Sequence, residues 1–143
     1  MSQAPDGKDQ LSRQLIITVQ TLEEEMSRGQ SNLQMIDIQS QRLAETAVAV
    51  KSLKDHKPGD ELMISIGSGV HIHVKMASTS HIVKVLGAGF AAEKTLDDAL
   101  KGIEEQQKQL AALSQRQQEQ LRTTQARLEE AQSQLSQLLR PSG

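Results

Sequence analysis

The sequence has no cysteine, tryptophan or tyrosine, a single phenylalanine, Phe90, and only three prolines in 143 residues. Without cysteine there can be no disulfide, thiolate metal ligand or thiol nucleophile, and a reducing compartment, the cytoplasm, is the expected setting. With almost no aromatic side chains to fill a globular core, the 36% of apolar residues must be buried in some other geometry. No run of about 18 apolar residues occurs, so no membrane span is expected. The opening MSQAPDGKDQ lacks the apolar segment of a signal peptide. Charge of one sign is not gathered into blocks, since 16 Lys and Arg are scattered among 18 Asp and Glu. Phosphate recognition needs a concentrated basic face, so nucleic acid is not an expected partner.

What remains is organised by the prolines at Pro5, Pro58 and Pro141, which leave two long tracts free of helix breakers. In the first, apolar residues alternate at spacings of four and three through Leu15, Val19, Leu22, Met26, Leu33, Ile36, Leu43, Ala47 and Val50, with Gly29 and Ser40 at the two seam positions that are skipped. This predicts a coiled-coil helix over residues 10–54. In the second, the same alternation runs through Leu96, Leu100, Ile103, Gln107, Leu110, Ser114, Gln117, Leu121, Thr124, Leu128, Ala131, Leu135 and Leu138. Polar side chains at four of these positions weaken that seam, and Leu113 beside Leu110 leaves its register locally ambiguous. Eleven glutamines crowd the interval from Gln106 to Gln137. Thr95 can cap this helix, Asp97 and Asp98 suit its positive first turn, and Arg140-Pro141 ends it, giving a helix over residues 95–140. Helices of matched length, each roughly 67 Å at 1.5 Å per residue, can pair antiparallel so that the two chain ends meet at a tip.

The segment between the helices, residues 61–94, changes character after the turn signal Lys57-Pro58-Gly59-Asp60. Leu62–Ile66, Val70–Lys75 and His81–Leu86 are short and rich in β-branched residues, and Phe90–Glu93 completes a set of four strands. Gly67-Ser68-Gly69 and Gly87-Ala88-Gly89 recur at an offset of twenty, each between two strands, where glycine at positive φ permits a tight hairpin. Two hairpins of this size cannot cover their own faces and edges, so oligomerisation through the strands is predicted. The fold class is α+β, with two long antiparallel coiled-coil helices joined by two β-hairpins in a single domain, 1–143.

Three chemistries could use residues of these segments, and the pattern fits none of them. A GxG phosphate cradle must follow a strand and open a helix, whereas Gly-Ser-Gly leads into another strand and no GxGxxG or GK[ST] is present. His71 and His73 share one strand face and would need a third ligand such as His81 or Glu61; without a full set they read as a solvated or interface face, and no metal is expected. His56 in a turn, the carboxylates Glu23, Glu24 and Glu25, and the pair Glu129 and Glu130 form no nucleophile and base constellation. A long helical hairpin also offers no enclosed pocket, so no catalytic residue and no cofactor are expected. The tip is different. Leu11, Leu15, Ile16, Ile17 and Val19, with Leu135, Leu138 and Leu139, exceed what a two-helix seam can bury, and clustered exposed apolar residues mark an interaction site.

The order helix, two GxG hairpins, helix resembles the alpha class of the prefoldin molecular chaperones, archaeal type. The residues that carry the resemblance are ELMISIGSGVHIHV and IVKVLGAGFAAEKTLDDAL. The second is similar to the family's strand, GAG turn, short strand ending in Glu-Lys and acidic helix start. Ile64-Ser65-Ile66 stands where the family's first strand often carries proline. The resemblance implies a hexamer of two alpha and four beta subunits, in which this chain meets a second alpha subunit and beta subunits through a hairpin β-barrel. It implies ATP-independent capture of unfolded polypeptides at the tips and their transfer to a group II chaperonin. Assembly would map to Leu62, Ile64, Ile66, Gly67, Gly69, Val70, Ile72, Val74, Ile82, Val83, Val85, Leu86, Gly87, Gly89 and Phe90. Client contact would map to Leu11, Leu15, Ile16, Ile17, Val19, Leu135, Leu138 and Leu139. The alternative, from another functional class, is a structural coiled-coil tether or scaffold subunit of a prefoldin-like complex.

Overall fold

A computed structural model describes residues 7–140 of the chain. The elements run α1 (Gly7–Leu53), β1 (Glu61–Gly67), β2 (Val70–Lys75), β3 (His81–Gly87), β4 (Phe90–Thr95) and α2 (Leu96–Leu139). Both helices and all four strands predicted from the sequence form, with ends displaced by at most three residues. The start of α2 is capped as its sequence suggests: the backbone N–H of Asp98 donates to Thr95 Oγ1 at 3.2 Å, satisfying one of the helix's free first-turn donors.

The chain divides into two compact units, one built from residues up to Ile38 together with those from Ala111 onward, the other from Gln39–Leu110. In the first unit the core consists of Leu15, Leu22, Leu128 and Ala131, with Val19, Met26, Leu135 and Leu138 packed on it. These are the seam positions of the four-three alternation, and each fully buried leucine stabilises the pair by about 1.5–3 kcal/mol. Gly29, skipped in the apolar count, is itself a buried seam position. A Cβ there would lie 2.6 Å from Leu121 Cδ2 and 2.9 Å from Gln117 Nε2, so the glycine is what admits the two side chains.

In the second unit the core is Ala47, Val50, Leu96, Ala99 and Ile103, packed by Leu43, Leu53, Leu100 and the strand residue Ile82. Lys54 Nζ donates to Asp97 Oδ1 at 2.7 Å, bridging the end of α1 to the first turn of α2. That hydrogen bond, with the attraction of the ammonium, holds the Asp97 carboxyl below the usual carboxylate range. Both partners are largely exposed, so the pair adds little to the stability of the fold. The Leu110 and Leu113 ambiguity resolves toward the seam: Leu110 is half-buried, and Leu113 is exposed.

The hairpins form two separate two-stranded antiparallel sheets, β1–β2 and β3–β4. Their construction is the same. Glu61 pairs with Lys75 and Ile64 with Ile72 in the first; His81 pairs with Thr95 and Lys84 with Ala92 in the second. Each has a register shift just before the turn, between Ser65 and Gly67 or between Val85 and Gly87, so that Ile66 and Leu86 are the inserted bulge residues. Ser68 and Gly69 have φ of +49° and +76°, and Ala88 and Gly89 have +52° and +79°. Positive φ at both central residues is the type I′ geometry, whose twist matches that of the flanking strands.

Candidate functional site

The alternation of β1–β2 places Leu62, Ile64, Val70, Ile72 and Val74 on one side and Met63, Ser65, His71 and His73 on the other. Only Leu62 and Val74, at the end next to the helices, are half-buried; Ile64, Ile66, Val70 and Ile72 are exposed. In β3–β4, Val83 and Val85 point away from the row that holds Ile82 and Lys84. Val85 is 75% exposed and Phe90 71%, with Val83 and Leu86 also open. Gly67, Gly69, Gly87 and Gly89 lie at the two turns, where an added Cβ would meet nothing and only the positive φ requires glycine. Ile82 differs from the other assembly residues expected from the sequence. Its side chain packs into the helical core of its own unit, so in the free chain it anchors a hairpin and offers little surface.

The apolar residues at the helix ends are likewise divided. Leu15 is buried, and Val19, Leu135 and Leu138 are half-buried against the same core. Leu11, Ile16, Ile17 and Leu139 remain exposed, Ile17 at 63% and Leu139 at 65%. Periodicity separates the members of the seam from Ile16 and Ile17, which lie off it. Leu15 and Leu138, by contrast, belong to the seam that closes the tip.

Among the described residues no group of three or more histidine, aspartate or glutamate side chains is gathered in a way that could hold a metal. His71 and His73 stand opposite Ser65 and Met63, while His81, on the other hairpin, has its Nδ1 2.9 Å from Ser80 Oγ. His56 Nδ1 lies 3.7 Å from Asp60 Oδ2 in the turn before β1. Beside Gly29 an open groove of about 670 Å³ runs along the first unit, lined by Arg28, Asn32, Arg116, Gln120 and Arg127. Gly29 and Leu121 also line it, among polar and charged side chains that include Glu25 and Glu119. None of the helices among the described residues is long and apolar enough to cross a membrane.

Two features escaped the sequence reading. One is the close approach at Gly29. The other is that Lys84 and Lys94, on the row of β3–β4 shared with Ile82, are half-buried. A period of two places them on that row, but nothing in the pattern tells which row the helices cover.

Known proteins similar to this chain agree with this geometry. The family described as Prefoldin, prefoldin subunit, matches residues 22–140, from within α1 through both hairpins to the end of α2. A prefoldin subunit alpha of Methanothrix thermoacetophila is 28% identical over 101 residues, covering 71% of this chain and 66% of that one. One from Nitrosopumilus maritimus is 30% identical over 97 residues, covering 66% and 67%. Thus the chain spans about two thirds of the length of these relatives. A third, from Thermofilum pendens, is 20% identical over 127 residues and covers 89% and 95%. In three dimensions the chain is similar to a subunit of filamentous PFD from Methanocaldococcus jannaschii, solved by cryo-EM, with a TM-score of 0.71 and 21% identity over 81% of this chain and 96% of that one. That likeness bears on the fold, and the sequence matches bear on the family: with paired hairpins between two coiled-coil helices, this chain belongs to the prefoldin family and to its alpha class.

Proposed function

We propose that the chain is the alpha subunit of an ATP-independent molecular chaperone, which holds non-native polypeptides at the coiled-coil tip, keeps them from aggregating and passes them to a group II chaperonin. The observation that carries this reading is at the tip. Leu11, Ile16, Ile17 and Leu139 are exposed although the core beside them is already closed by Leu15, Leu22, Leu128 and Ala131. Apolar side chains left over after a core is complete have no intramolecular use, and a cluster of them suits an apolar partner of no fixed shape. Each such tip is a weak binding site. Several tips on one assembly convert weak contacts into retention of a single chain, because every contact after the first is intramolecular.

Assembly falls to the hairpins, through Leu62, Ile64, Ile66, Val70, Ile72 and Val74 on one and Val83, Val85, Leu86 and Phe90 on the other. The partners in this reading are a second copy of the chain and four beta-class subunits. The mass of the complex recovered with beta subunits checks it, and a chain that stays monomeric beside them would overturn it.

Replacing Leu11, Ile16, Ile17 and Leu139 together by serine tests the tip. Suppression of aggregation of a chemically denatured substrate is expected to fall at least several-fold, with the melting temperature and the mass of the assembly unchanged. Undiminished protection by that variant would reject the tip as the client site and leave the tether reading in its place.

A further inference from the structure

The face of the first hairpin that carries Met63, Ser65, His71 and His73 is opposite the row whose Leu62 and Val74 are half-buried next to the helices. None of these four residues belongs to a core cluster of the chain. Met63 is 63% exposed, and both histidines beside it are exposed as well. His71 and His73 stand two residues apart on β2, about 6.7 Å at the strand rise of roughly 3.3–3.4 Å per residue. By spacing alone they lack a third ligand, and the register supplies one: Met63 on β1 is the direct partner of His73. Directly opposed side chains start about 4.5–5.5 Å apart, and diagonal ones are within reach when they are long. Met63 is opposite one imidazole and diagonal to the other, so two ring nitrogens and a thioether sulfur can close on a single ion above the sheet.

The hairpin itself does not ask for these three residues. At the offset of twenty, in the same register, the second hairpin holds Val83, Ala91 and Glu93 where the first holds Met63, His71 and His73. An equal hairpin is thus built without them, and a β-branched residue such as Val83 suits a strand better than methionine does. The donor set is an addition to the fold and not a requirement of it.

The chemistry of the set selects its ion. Structural zinc takes four nitrogen, sulfur or carboxylate ligands, and among the described residues no third histidine, aspartate or glutamate is gathered with His71 and His73. Glu61, on the same face, stands opposite Lys75, and His81 belongs to the other hairpin. Lys75 is two residues from His73 on that face, and its ammonium repels a divalent ion about twice as strongly as a monovalent one. A thioether in place of a carboxylate favours a soft ion, and imidazole also suits copper. Monovalent copper is soft, carries a single charge and is satisfied by three ligands. Since the chain has no cysteine, no thiolate of its own competes for that ion.

We propose that Met63, His71 and His73 form a site for one monovalent copper ion on the face of the first hairpin opposite its apolar row. The ion joins β1, through the Met63 thioether, to β2, through the two imidazoles. It thereby clamps a hairpin none of whose side chains reaches a core cluster. Because the open hairpin does not present the three donors together, the ion binds the closed form and stabilises it by mass action. The site stands apart from the proposed chaperone activity, since its residues are neither those of client contact at the tip nor those of the apolar assembly rows.

The test is a competition in which the full chain draws monovalent copper from a chromogenic chelator under anaerobic, reducing conditions. X-ray absorption at the copper edge and amide exchange are then read on the loaded protein. A single ion per chain is expected, with a sulfur scatterer in the absorption spectrum and slower exchange in β1–β2 but not in β3–β4. His71→Asn with His73→Asn is expected to weaken binding by about a hundredfold or more, and Met63→Leu by about tenfold with loss of the sulfur scatterer. Met35→Leu, at a methionine of α1 that is 60% exposed, changes binding by less than about twofold. All these positions are exposed, and amide exchange of the metal-free variants equal to that of the metal-free natural chain shows that the hairpin is intact. Undiminished binding by the double histidine variant would overturn the site, as would a natural chain whose bound copper has no sulfur neighbour. Zinc held as tightly as copper would reject the soft three-ligand set, and one ion shared by two chains would reject a site within a single hairpin.

Discussion

Hairpins β1–β2 and β3–β4 have the same strand lengths to within a residue, the same bulge and the same pair of positive-φ turn residues, but they are attached in different ways. The second runs into α2 without a break, β4 ending at Thr95 and the helix starting at Leu96, and the Leu96 N–H donates to Ser80 O at 3.3 Å. That continuity brings Ile82 onto the core formed by Ala47, Val50, Leu96, Ala99 and Ile103. The first hangs from a turn, in which the Gly59 N–H donates to Met76 O at 2.7 Å and the Met76 N–H to Asp60 O at 2.9 Å. Backbone hydrogen bonds close its neck, yet none of its side chains belongs to a core cluster. A repeated local sequence thus builds the same hairpin twice, and the connection to the helices decides which copy is tied down.

The sharpest way to break this comparison is to shorten the equivalent residues Ile82 and Leu62. Ile82→Ala is expected to destabilise the chain by about 2 kcal/mol, since it removes methyl groups that pack on the core. Leu62→Ala is expected to fall below about 1 kcal/mol, as a half-exposed site allows. Chemical denaturation of both variants measures the difference, and equal losses would mean that the hairpins are anchored alike. Next in size, Gly67→Ala and Gly87→Ala each force a side chain into a φ of +113° or +100°, a strain of about 1–2 kcal/mol. In amide exchange the Gly67 variant is expected to open its own hairpin alone, while the Gly87 variant also loosens the start of α2.

Smaller, and opposite in sign, is the effect of relieving the turns. Ala88→Gly and Ser68→Gly remove the steric penalty of positive φ and are expected to stabilise each turn by up to about 1 kcal/mol. Only the Ala88 change should raise the melting temperature of the helices, because only that hairpin is joined to them through a core contact. The smallest effect concerns Lys54 and Asp97. Asp97 has its pKa lowered by the Lys54 hydrogen bond, so its contribution is present above the ordinary carboxylate pKa and is lost as pH falls through the lowered value. Lys54→Met should therefore lower the melting temperature slightly at neutral and alkaline pH and flatten its decline on the acid side, where the variant and the natural chain converge.

Much of the fold was legible because its elements follow strict periods. Spacing of four and three gave both helices, the GxG pairs gave both turns, and the offset of twenty gave the duplicated hairpin. The division within each candidate surface was harder to read. Leu15 and Ile16 are adjacent and equally apolar, and only pairing with α2 makes the first a core residue and leaves the second exposed. Likewise Ile82 and Val83 are neighbours in a strand, and the path of β4 into α2 determines which one meets the helices. The turn was located correctly through its glycines, but the central Ser68 and Ala88 also take positive φ, which a non-glycine residue adopts only at some cost and which the glycine pattern does not announce.

Gly29 has a further consequence for the arm itself. Around it α2 contributes Ser114, Gln117 and Thr124 to the seam, side chains that fit many neighbours and so do little to tell one alignment of the helices from another. The notch at Gly29 favours the observed alignment, since Leu121 Cδ2 and Gln117 Nε2 occupy the space that a Cβ there would take. Sliding α2 by seven residues would bring Leu121 up against Leu22 or Ile36, where two large side chains would compete for a single space. The missing side chain acts as an index mark on the helix, a local preference for one alignment in a polar, glutamine-rich coil.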